Sequence, residues 1–238
     1  MDDKIQTLKK WIEESSNIVF FGGAGVSTES GIPDFRSVDG LYSQKYEYPP
    51  ETILSHSFFT AKPDAFYRFY HDKMLISGVK PNRTHTRLSE LEREGKLKAV
   101  ITQNIDGLHQ LAGSKKVLEL HGSIHRNYCM HCGRRYGYEA VSEISGVPRC
   151  DCGGLIRPDV VLYEEGLDAD IMADAVHFIR HADVLIVGGT SLVVYPAAGM
   201  LGYYRGKKLV LINKGATGYD TRADLLISDN IGEVFAQV

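Results

Sequence analysis

Short apolar runs recur along the chain and predict buried β-strands. They lie at 17–21, 98–102, 116–120, 183–187 and 208–212, with a weaker run at 224–227. Continuous apolar runs of this length, bounded by glycine or polar residues, are typical of strands that are covered on both faces. Apolar residues at helical spacing precede or separate several of these runs and predict helices at 5–12, 84–94 and 171–181. This alternation favours an α/β fold with a doubly wound parallel sheet.

Two stretches interrupt the alternation. Residues 36–83 are rich in Tyr, Phe, Pro and Ser and show no clear strand. Residues 123–154 contain all four cysteines and many glycines, without a long apolar run. We expect both stretches to be insertions that build a smaller domain beside the main sheet.

Composition narrows the class of protein. With 238 residues, 43% hydrophobic and 24% charged, the chain is typical of a soluble globular protein with a sizeable core. Its net charge of −3 predicts no general attraction to nucleic acid or membranes, and no apolar run approaches a membrane span. The first residues are charged and amphipathic, unlike a signal peptide. We therefore expect a cytoplasmic location, where four cysteines indicate a metal site rather than disulfides.

Polar residues follow several of the predicted strands directly. These segments are 22–28, 103–106, 121–122, 188–191 and 213–215. Because the carboxyl ends of parallel strands meet at one edge of a sheet, we expect these segments to converge on a ligand site. Strands must also end in polar turns for purely structural reasons. That explanation accounts for glycine and serine better than for the Gln103-Asn104-Ile105-Asp106 cluster or for His121.

The first of these segments suits a dinucleotide. Glycines such as Gly23 and Gly25 let the backbone approach a pyrophosphate, and a following helix can offer free N–H groups to it. The third glycine of the usual fingerprint is absent, because Thr28 occupies that position. The glycine-rich turn alone is therefore only a weak indication of dinucleotide binding.

A much longer set of motifs surrounds this turn. Gly23-Ala24-Gly25-Val26-Ser27 precedes Gly31-Ile32-Pro33-Asp34-Phe35-Arg36. The later motifs, in chain order, are 103–109 (QNIDGLH), 121–122 (HG), the four cysteines, 157–161 (RPDVV), 189–192 (GTSL) and 213–214 (NK). Through these motifs the chain resembles the sirtuin family over essentially its whole length.

The resemblance implies both a fold and an activity. The fold is a Rossmann-like NAD-binding domain at 1–35, 84–122 and 155–238, with a smaller inserted domain. The inserted domain comprises a helical module with a cofactor-binding loop at 36–83 and a zinc-binding module, a zinc ribbon, at 123–154. The activity is NAD-dependent removal of acetyl groups from protein lysines, which gives nicotinamide, O-acetyl-ADP-ribose and free lysine.

The resemblance also assigns roles to individual residues. His121 would be the catalytic base, since an imidazole titrates near neutral pH, and Asn104 would act beside it on the ribose or an ordered water. Gln103 would contact the ribose, Asp106 with Ile105 would hold the nicotinamide carboxamide, and Phe35 would screen that site. The remaining cofactor contacts would be Ala24, Thr28 and Arg36 near the phosphates, with Gly189, Thr190, Ser191, Asn213, Lys214 and Ile231 toward the adenosine half.

The acetyl-lysine peptide is expected to add as a strand between two segments, 160–163 and 192–194. The substrate-binding residues would be Val160, Val161, Leu162, Tyr163 and Val193, with Tyr70 and Lys73 near the acyl group. Sirtuins that prefer succinyl or malonyl groups carry an arginine three residues after the tyrosine. Lys73 stands there and lacks the bidentate fork of arginine, so acetyl and other neutral acyl groups are favoured. Activity on acidic acyl groups stays the minority alternative.

The cysteines depart from the family pattern. Cys129 and Cys132 are separated by two residues, whereas only Asp151 separates Cys150 from Cys152, where the family usually has two residues. We expect all four to bind one structural Zn²⁺, because a closed four-ligand site leaves no position for water. His131 or His125 could replace one ligand, and free thiols are the alternative to a metal site.

Several other functions remain open on the sequence. A mono-ADP-ribosyltransferase would cleave NAD in the same way, and a non-catalytic NAD sensor would bind without turnover. A glycine-rich turn alone would also suit a hydride-transfer dehydrogenase. Arg126, Arg134, Arg135 and Arg149 would suit a nucleic-acid-binding ribbon, although such charges usually form a solvated face. We expect acetylated proteins as partners, no membrane or nucleic acid, and a monomer.

Overall fold

The computed structural model describes residues 2–35, 40–41 and 46–238. The strands within these residues are β1 Ile18–Gly22, β2 Leu97–Thr102, β3 Val117–Glu119, β4 Gly122–Cys129, β5 Arg135–Tyr136, β6 Ile156–Val160, β7 Val184–Gly188, β8 Leu209–Ile212 and β9 Leu225–Ile227. The α-helices in the same ranges are α1 Asp2–Glu14, α2 Pro50–Ile53, α3 His56–Ala61, α4 Pro63–Phe69, α5 Arg83–Arg93, α6 Leu108–Leu111, α7 Glu139–Ser142, α8 Ala169–His181 and α9 Ile231–Phe235. None of these helices is both long and apolar enough to cross a membrane.

The main sheet has six strands in the order β3-β2-β1-β7-β8-β9, and all neighbouring pairs are parallel. The chain moves outward in one direction from β1 to β3 and in the other from β7 to β9. The order therefore reverses between β1 and β7, which is where open α/β sheets bind ligands. The predicted Rossmann-like parallel sheet is confirmed.

Both faces of this sheet are covered, as the continuous apolar runs predicted. In β1, Ile18 and Phe20 pack on one face against α1, α5 and α9. Val19 and Phe21 pack on the other face, against α8 and the 3₁₀ segment Ala197–Tyr203. All five β1 residues are buried, so alternate side chains enter two separate cores.

A third core holds the smaller part of the molecule together. The antiparallel sheet β5-β4-β6 packs with α3, α4 and the π-helix Tyr70–Met74. Phe59, Phe66 and Tyr67 are fully buried here and meet edge-to-face, and their core also contains Cys129 and Cys150. The described part of the stretch 36–83, which was expected to form a helical module, thus contains the helices α2, α3 and α4.

The small sheet extends beyond the predicted zinc-binding stretch on both sides. β4 begins at Gly122, directly after His121, and β6 pairs with β4 although the predicted boundary places residues from 155 onward in the main domain. Arg157, Pro158 and Asp159 interrupt the apolar pattern of β6, so no run marked it as a strand. The domain boundaries themselves stay a prediction.

Candidate active site

A cleft of about 1370 Å³ opens at the carboxyl ends of the main-sheet strands and runs against the smaller part of the molecule. Asn104, His121 and nearly all predicted cofactor residues line it: Ala24, Thr28, Phe35, Gln103, Ile105, Asp106, Gly189, Thr190, Ser191, Asn213, Lys214 and Ile231. Arg36 lies outside the described residues. The segments that follow separate strands do therefore converge at one edge of the sheet.

The glycine-rich turn after β1 interlocks with the turn after β7. The N–H of Gly25 donates to the Gly189 carbonyl at 2.8 Å. A Cβ on Gly25 would lie 2.8 Å from the Gly189 Cα, and Gly189 itself has a φ of +60°. These glycines are therefore required for backbone packing at the switch point, whatever ligand the turn binds.

Asp106 is held by hydrogen bonds to both carboxylate oxygens. The Ser27 hydroxyl donates to Oδ2 at 2.7 Å, and the N–H of Leu108 donates to Oδ1 at 2.9 Å. The Asn104 amide in turn donates to the Ser27 Oγ at 3.1 Å. The Leu108 bond spans two residues and forms a turn just before α6, whose N-cap residue is Gly107. Ser27 was not among the predicted site residues. Its place as the one hydroxyl residue of the motif at 23–27 was the available signal in the sequence, and the structure buries it fully.

His121 lies where the main sheet passes into the small one. Its Nδ1–H donates to the Gln103 carbonyl at 2.9 Å, which leaves the lone pair of the neutral ring on Nε2. Burial lowers the pKa of His121 below its ordinary value of 6.5, and the bond to Gln103 offsets this only in part. The imidazole is therefore neutral at pH 7 and its Nε2 can accept a proton.

The predicted peptide-binding segment 160–163 is anchored on both sides. The N–H of Val161 donates to the His121 carbonyl at 3.0 Å. The N–H and carbonyl of Tyr163 bond to the Leu54 carbonyl and the His56 N–H, at 2.9 and 3.0 Å. The segment is thus tied to the histidine at one end and to the start of α3 at the other. All four residues line the cleft.

An ion pair between buried Arg157 and partly buried Glu165 also fixes this segment. Arg157 donates from Nη1 and Nη2 to the two Glu165 oxygens, both at 2.7 Å, and Glu165 also accepts the Leu162 N–H at 2.9 Å. Burial acts to raise the pKa of Glu165, but these hydrogen bonds and the arginine charge bring it down to about 2. Sequence reasoning did not identify this pair, because nothing in the spacing 157–165 indicates it.

On the opposite side, Val193 is 56% exposed and is not among the residues that line the cleft, although Val194 is. Tyr70 and Lys73 do line it. Tyr70 is almost completely buried, and the Lys73 Nζ lies 3.0 Å from Asp72 Oδ2. The lysine charge at this position therefore already has a carboxylate beside it.

The four cysteines meet at one point. Within the described part of the chain they form the one group of metal-ligand type whose ligand atoms all lie within 4.8 Å of one another. The Sγ atoms of Cys129 and Cys152 are 3.5 Å apart, and those of Cys132 and Cys150 are 3.6 Å apart. Four thiolates around zinc at ~2.3 Å are about 3.8 Å apart, so the donor set fits this ion. The shorter loop at Asp151 still lets all four sulfurs converge.

Neither histidine considered as a substitute ligand belongs to this group. His125 Nε2 donates to the Asp106 carbonyl at 3.0 Å, which directs its ring into the cleft. The backbone N–H groups of His131 and Cys132 point at the Cys129 sulfur, at 3.4 and 3.5 Å. Such bonds support a thiolate ligand rather than replace it.

A family model described as the Sir2 family matches residues 23–196. The chain belongs to the Sir2 family. This confirms the resemblance to the sirtuins. The match spans the glycine-rich turn, the 103–109 motif, His121, the cysteine cluster and the 160–163 segment, all of which meet around the cleft or beside it.

Relatives and solved structures agree with this Sir2 assignment. Proteins of Clostridium acetobutylicum and Clostridium perfringens, both named NAD-dependent protein deacetylase, are 61% and 58% identical to this chain. The matches cover 99% and 100% of this chain, and 98% and 99% of those proteins. A Sir2 structure with a p53 peptide and NAD⁺ matches at 41% identity with a TM-score of 0.88, over 98% of this chain and 96% of that one.

A second solved Sir2 structure contains a deacetylated p53 peptide and 3′-O-acetyl-ADP-ribose. It matches this chain at 41% identity with a TM-score of 0.89, over 98% of this chain and 96% of that one. One of these two solved structures thus contains a peptide with NAD⁺, and the other contains a peptide with an acetylated product.

Proposed function

We propose that this Sir2 chain is an NAD-dependent protein lysine deacetylase. The observation that supports it best is His121, a neutral imidazole whose Nδ1 is fixed by Gln103 and whose Nε2 is free to act as a base in the cleft. The cleft volume exceeds that of ordinary small-molecule sites, which suits a dinucleotide together with a peptide. The relatives named NAD-dependent protein deacetylase support the same activity.

The overall reaction joins acetyl-lysine, NAD⁺ and water to give lysine, nicotinamide and O-acetyl-ADP-ribose. The acetyl oxygen would bond to C1′ of the ribose as nicotinamide leaves, and a ribose hydroxyl would then add to the acetyl carbon. Water would add to the same carbon as the lysine amine leaves and the bond to the C1′ oxygen breaks, so that the hydroxyl keeps the acetyl group. His121 would take the proton of that hydroxyl at Nε2, because only the neutral ring has an acceptor there. Gln103 holds the ring in the tautomer that this step needs.

The nicotinamide half would lie against Ile105 and Asp106. A carboxamide offers N–H donors and one acceptor, which a fixed carboxylate and backbone N–H groups can complement. Ser27 holds that carboxylate in place, and Asn104 in turn donates to the Ser27 hydroxyl oxygen. Phe35 would screen the emptied subsite, while Ala24, Thr28 and Arg36 would lie near the phosphates. Gly189, Thr190, Ser191, Asn213, Lys214 and Ile231 would contact the adenosine half.

The peptide would add as a strand between residues 160–163 and 192–194. Support comes from the anchoring of Val161 to His121, since a peptide paired with this segment has its position fixed relative to the base. Main-chain pairing carries little side-chain information, so a broad range of acetylated proteins is the expected partner class. A cytoplasmic location and a monomeric state also stay predictions.

Acetyl and other neutral acyl groups are the proposed substrates. An acidic acyl group would need a free cation beside Tyr70, whereas the Lys73 ammonium is 3.0 Å from Asp72. A lysine also offers a point charge instead of a planar fork. Zinc would be held by Cys129, Cys132, Cys150 and Cys152, where it would support the small sheet and take no part in the reaction.

Nicotinamide release from NAD⁺, measured with and without an acetyl-lysine peptide, tests this proposal. Release that requires the peptide, exceeds release with a succinyl-lysine peptide and is lost in His121→Ala is the expected result. Release that is independent of any acyl peptide would instead indicate an ADP-ribosyltransferase or an NAD hydrolase. Formation of NADH would indicate a dehydrogenase, and binding without release would indicate a sensor.

A further inference from the structure

The segment Ile105–Asp106 is held by both parts of the molecule. From the main domain, Ser27 donates to the Asp106 carboxylate at 2.7 Å. From the small sheet, the N–H of Ile124 donates to the Ile105 carbonyl, and Nε2–H of His125 donates to the Asp106 carbonyl, both at 3.0 Å. Two consecutive residues of β4 thus hold two consecutive carbonyls of this segment.

The His125 ring fits a space that only glycine leaves open. A Cβ on Gly107 would lie 2.7 Å from Cδ2 and 2.8 Å from Nε2 of His125. Gly107 also has a φ of +71°, which side chains rarely adopt. The ring is tilted over Tyr138 at a centroid distance of 5.5 Å. Its position is therefore set by complementary packing as well as by its hydrogen bond.

We propose that His125 is a positioning residue for the nicotinamide subsite. The inference rests on the proposed function, which assigns nicotinamide to Ile105 and Asp106. His125 holds the Asp106 carbonyl and so fixes the direction in which the Asp106 carboxylate and the adjoining N–H groups face the cleft. It would determine the affinity for the carboxamide, in NAD⁺ or as the inhibitory product, without taking part in proton transfer.

Product inhibition by nicotinamide tests the inference in a pair of matched variants. His125→Leu keeps much of the side-chain volume but has no donor. His125→Gln keeps an N–H donor at the same number of bonds from Cα. We expect His125→Leu to raise the inhibition constant of nicotinamide about 2- to 10-fold, as the loss of one net hydrogen bond implies. His125→Gln should stay close to the unmodified protein, and the KM for the acetyl-lysine peptide should change in neither.

The variant Gly107→Ala tests the contact between the His125 ring and the 105–107 segment without changing His125 itself. Its Cβ would displace the His125 ring, so it should raise the inhibition constant as His125→Leu does. The double variant Gly107→Ala/His125→Leu should show less than the product of the two single effects, because both changes remove one contact. Fully multiplicative effects would overturn the inference.

Amide hydrogen exchange separates failure of this inference from failure of the proposed function. In the protein without substrates, residues 104–111 should exchange faster in His125→Leu than in His125→Gln or the unmodified protein. Should the unmodified protein release no nicotinamide, the proposed function fails and exchange alone decides whether His125 holds this segment. In an active enzyme, an unchanged inhibition constant in His125→Leu, or equal damage in His125→Gln, overturns the inference.

Discussion

At the residue scale, the chemistry of the site depends on which imidazoles are neutral and why. His121 is neutral because burial lowers its pKa, and one ring nitrogen is committed to the Gln103 carbonyl. His85 and His109 are neutral for the same reason but lie in the protein interior, with ring centroids 4.7 Å apart. We therefore expect a change at His121 to affect activity, and changes at His85 or His109 to affect stability.

The pH dependence of kcat/KM should follow the titration of His121. Its pKa lies below 6.5, so the ring is unprotonated at pH 7 and becomes protonated only at lower pH. We expect kcat/KM to be level around pH 7 and to fall with an acid limb centred below pH 6.5. The measurement is kcat/KM for the acetyl-lysine peptide between pH 5 and pH 8, at saturating NAD⁺. A limb centred above pH 7 would contradict the role given to His121.

Stability should decrease in acid because of His85 and His109. Burial lowers their pKa values from 6.5 to about 4 and about 3, respectively. Below pH 6.5 the unfolded chain binds protons that the folded chain does not, so the free energy of unfolding falls as the pH drops. Each histidine contributes up to about 1.4 kcal/mol per pH unit until its folded-state pKa is reached.

Urea unfolding at pH 7.0 and pH 5.0 measures this effect. A His109→Leu variant should lose the contribution of one histidine and show a correspondingly shallower dependence on pH. An unchanged dependence in that variant would mean that His109 is not buried as the neutral form.

At the element scale, the crossing from β3 to β4 places strict limits on backbone conformation and side-chain size at Gly122. Gly122 has a φ of +76°, and a Cβ there would lie 2.0 Å from the Asp159 carbonyl oxygen of β6. His121 immediately precedes it and accepts the Val161 N–H. The passage from one sheet to the other therefore requires glycine at position 122, next to His121, whatever the role of His121 in the reaction.

Gly122→Ala should destabilise the protein more than a glycine substitution that meets no neighbour. Strain plus the collision with the Asp159 carbonyl should cost about 2–5 kcal/mol. Gly95 is the matched control, because its φ is +75° and no heavy atom lies within 4 Å of its added Cβ. Gly95→Ala should cost only about 1–2 kcal/mol. Equal losses in urea unfolding would contradict the packing described for Gly122.

The elements that could be predicted are those with a local pattern. Strands such as β1 and β7 are buried on both faces, so their apolar runs were sufficient, and α5 and α8 showed helical spacing. β4 and β6 were not predicted from their pattern. They carry polar residues such as Arg126 and Asp159, β6 also contains Pro158, and the two strands pair with each other across the whole cysteine-containing stretch.

The site was predictable to the extent that its residues occur in contiguous motifs. The segment 103–106 and His121 lie after predicted strands, so the topology of a parallel sheet brings them together. Contacts that join distant segments had no local pattern. Such contacts are the Ser27–Asp106 bond and the fit of His125 to Gly107. The Arg157–Glu165 ion pair joins residues only eight apart, but no motif marked it either.

At the scale of the whole molecule, the cysteine cluster is joined to the core of the smaller part of the protein. Cys129 and Cys150 are buried in the same core as Phe59, Phe66 and Tyr67, which belong to the helices beside the cleft. The same core reaches Val160 and Leu162 of the proposed peptide-binding segment. Loss of a metal at the cysteines should therefore affect substrate binding at a distance.

Zinc removal should unfold the small domain and abolish deacetylation. A strong chelator should remove the metal, reduce the near-UV signal of the buried tyrosines and eliminate activity, and added Zn²⁺ should restore both. Cys132→Ser should weaken metal binding in the same direction. Full activity in protein shown by elemental analysis to be metal-free would contradict a supporting role for the cluster.

The central claim is that one acetyl group moves from lysine to ADP-ribose for each NAD⁺ consumed. Mass spectrometry of a single reaction with an acetyl-lysine peptide measures it by quantifying nicotinamide, acetylated ADP-ribose and free-lysine peptide together. Our account predicts equal amounts of all three products, with activity lost in His121→Ala while the protein stays folded. Nicotinamide formed without a matching amount of acetylated ADP-ribose, or unchanged activity in His121→Ala, would contradict it.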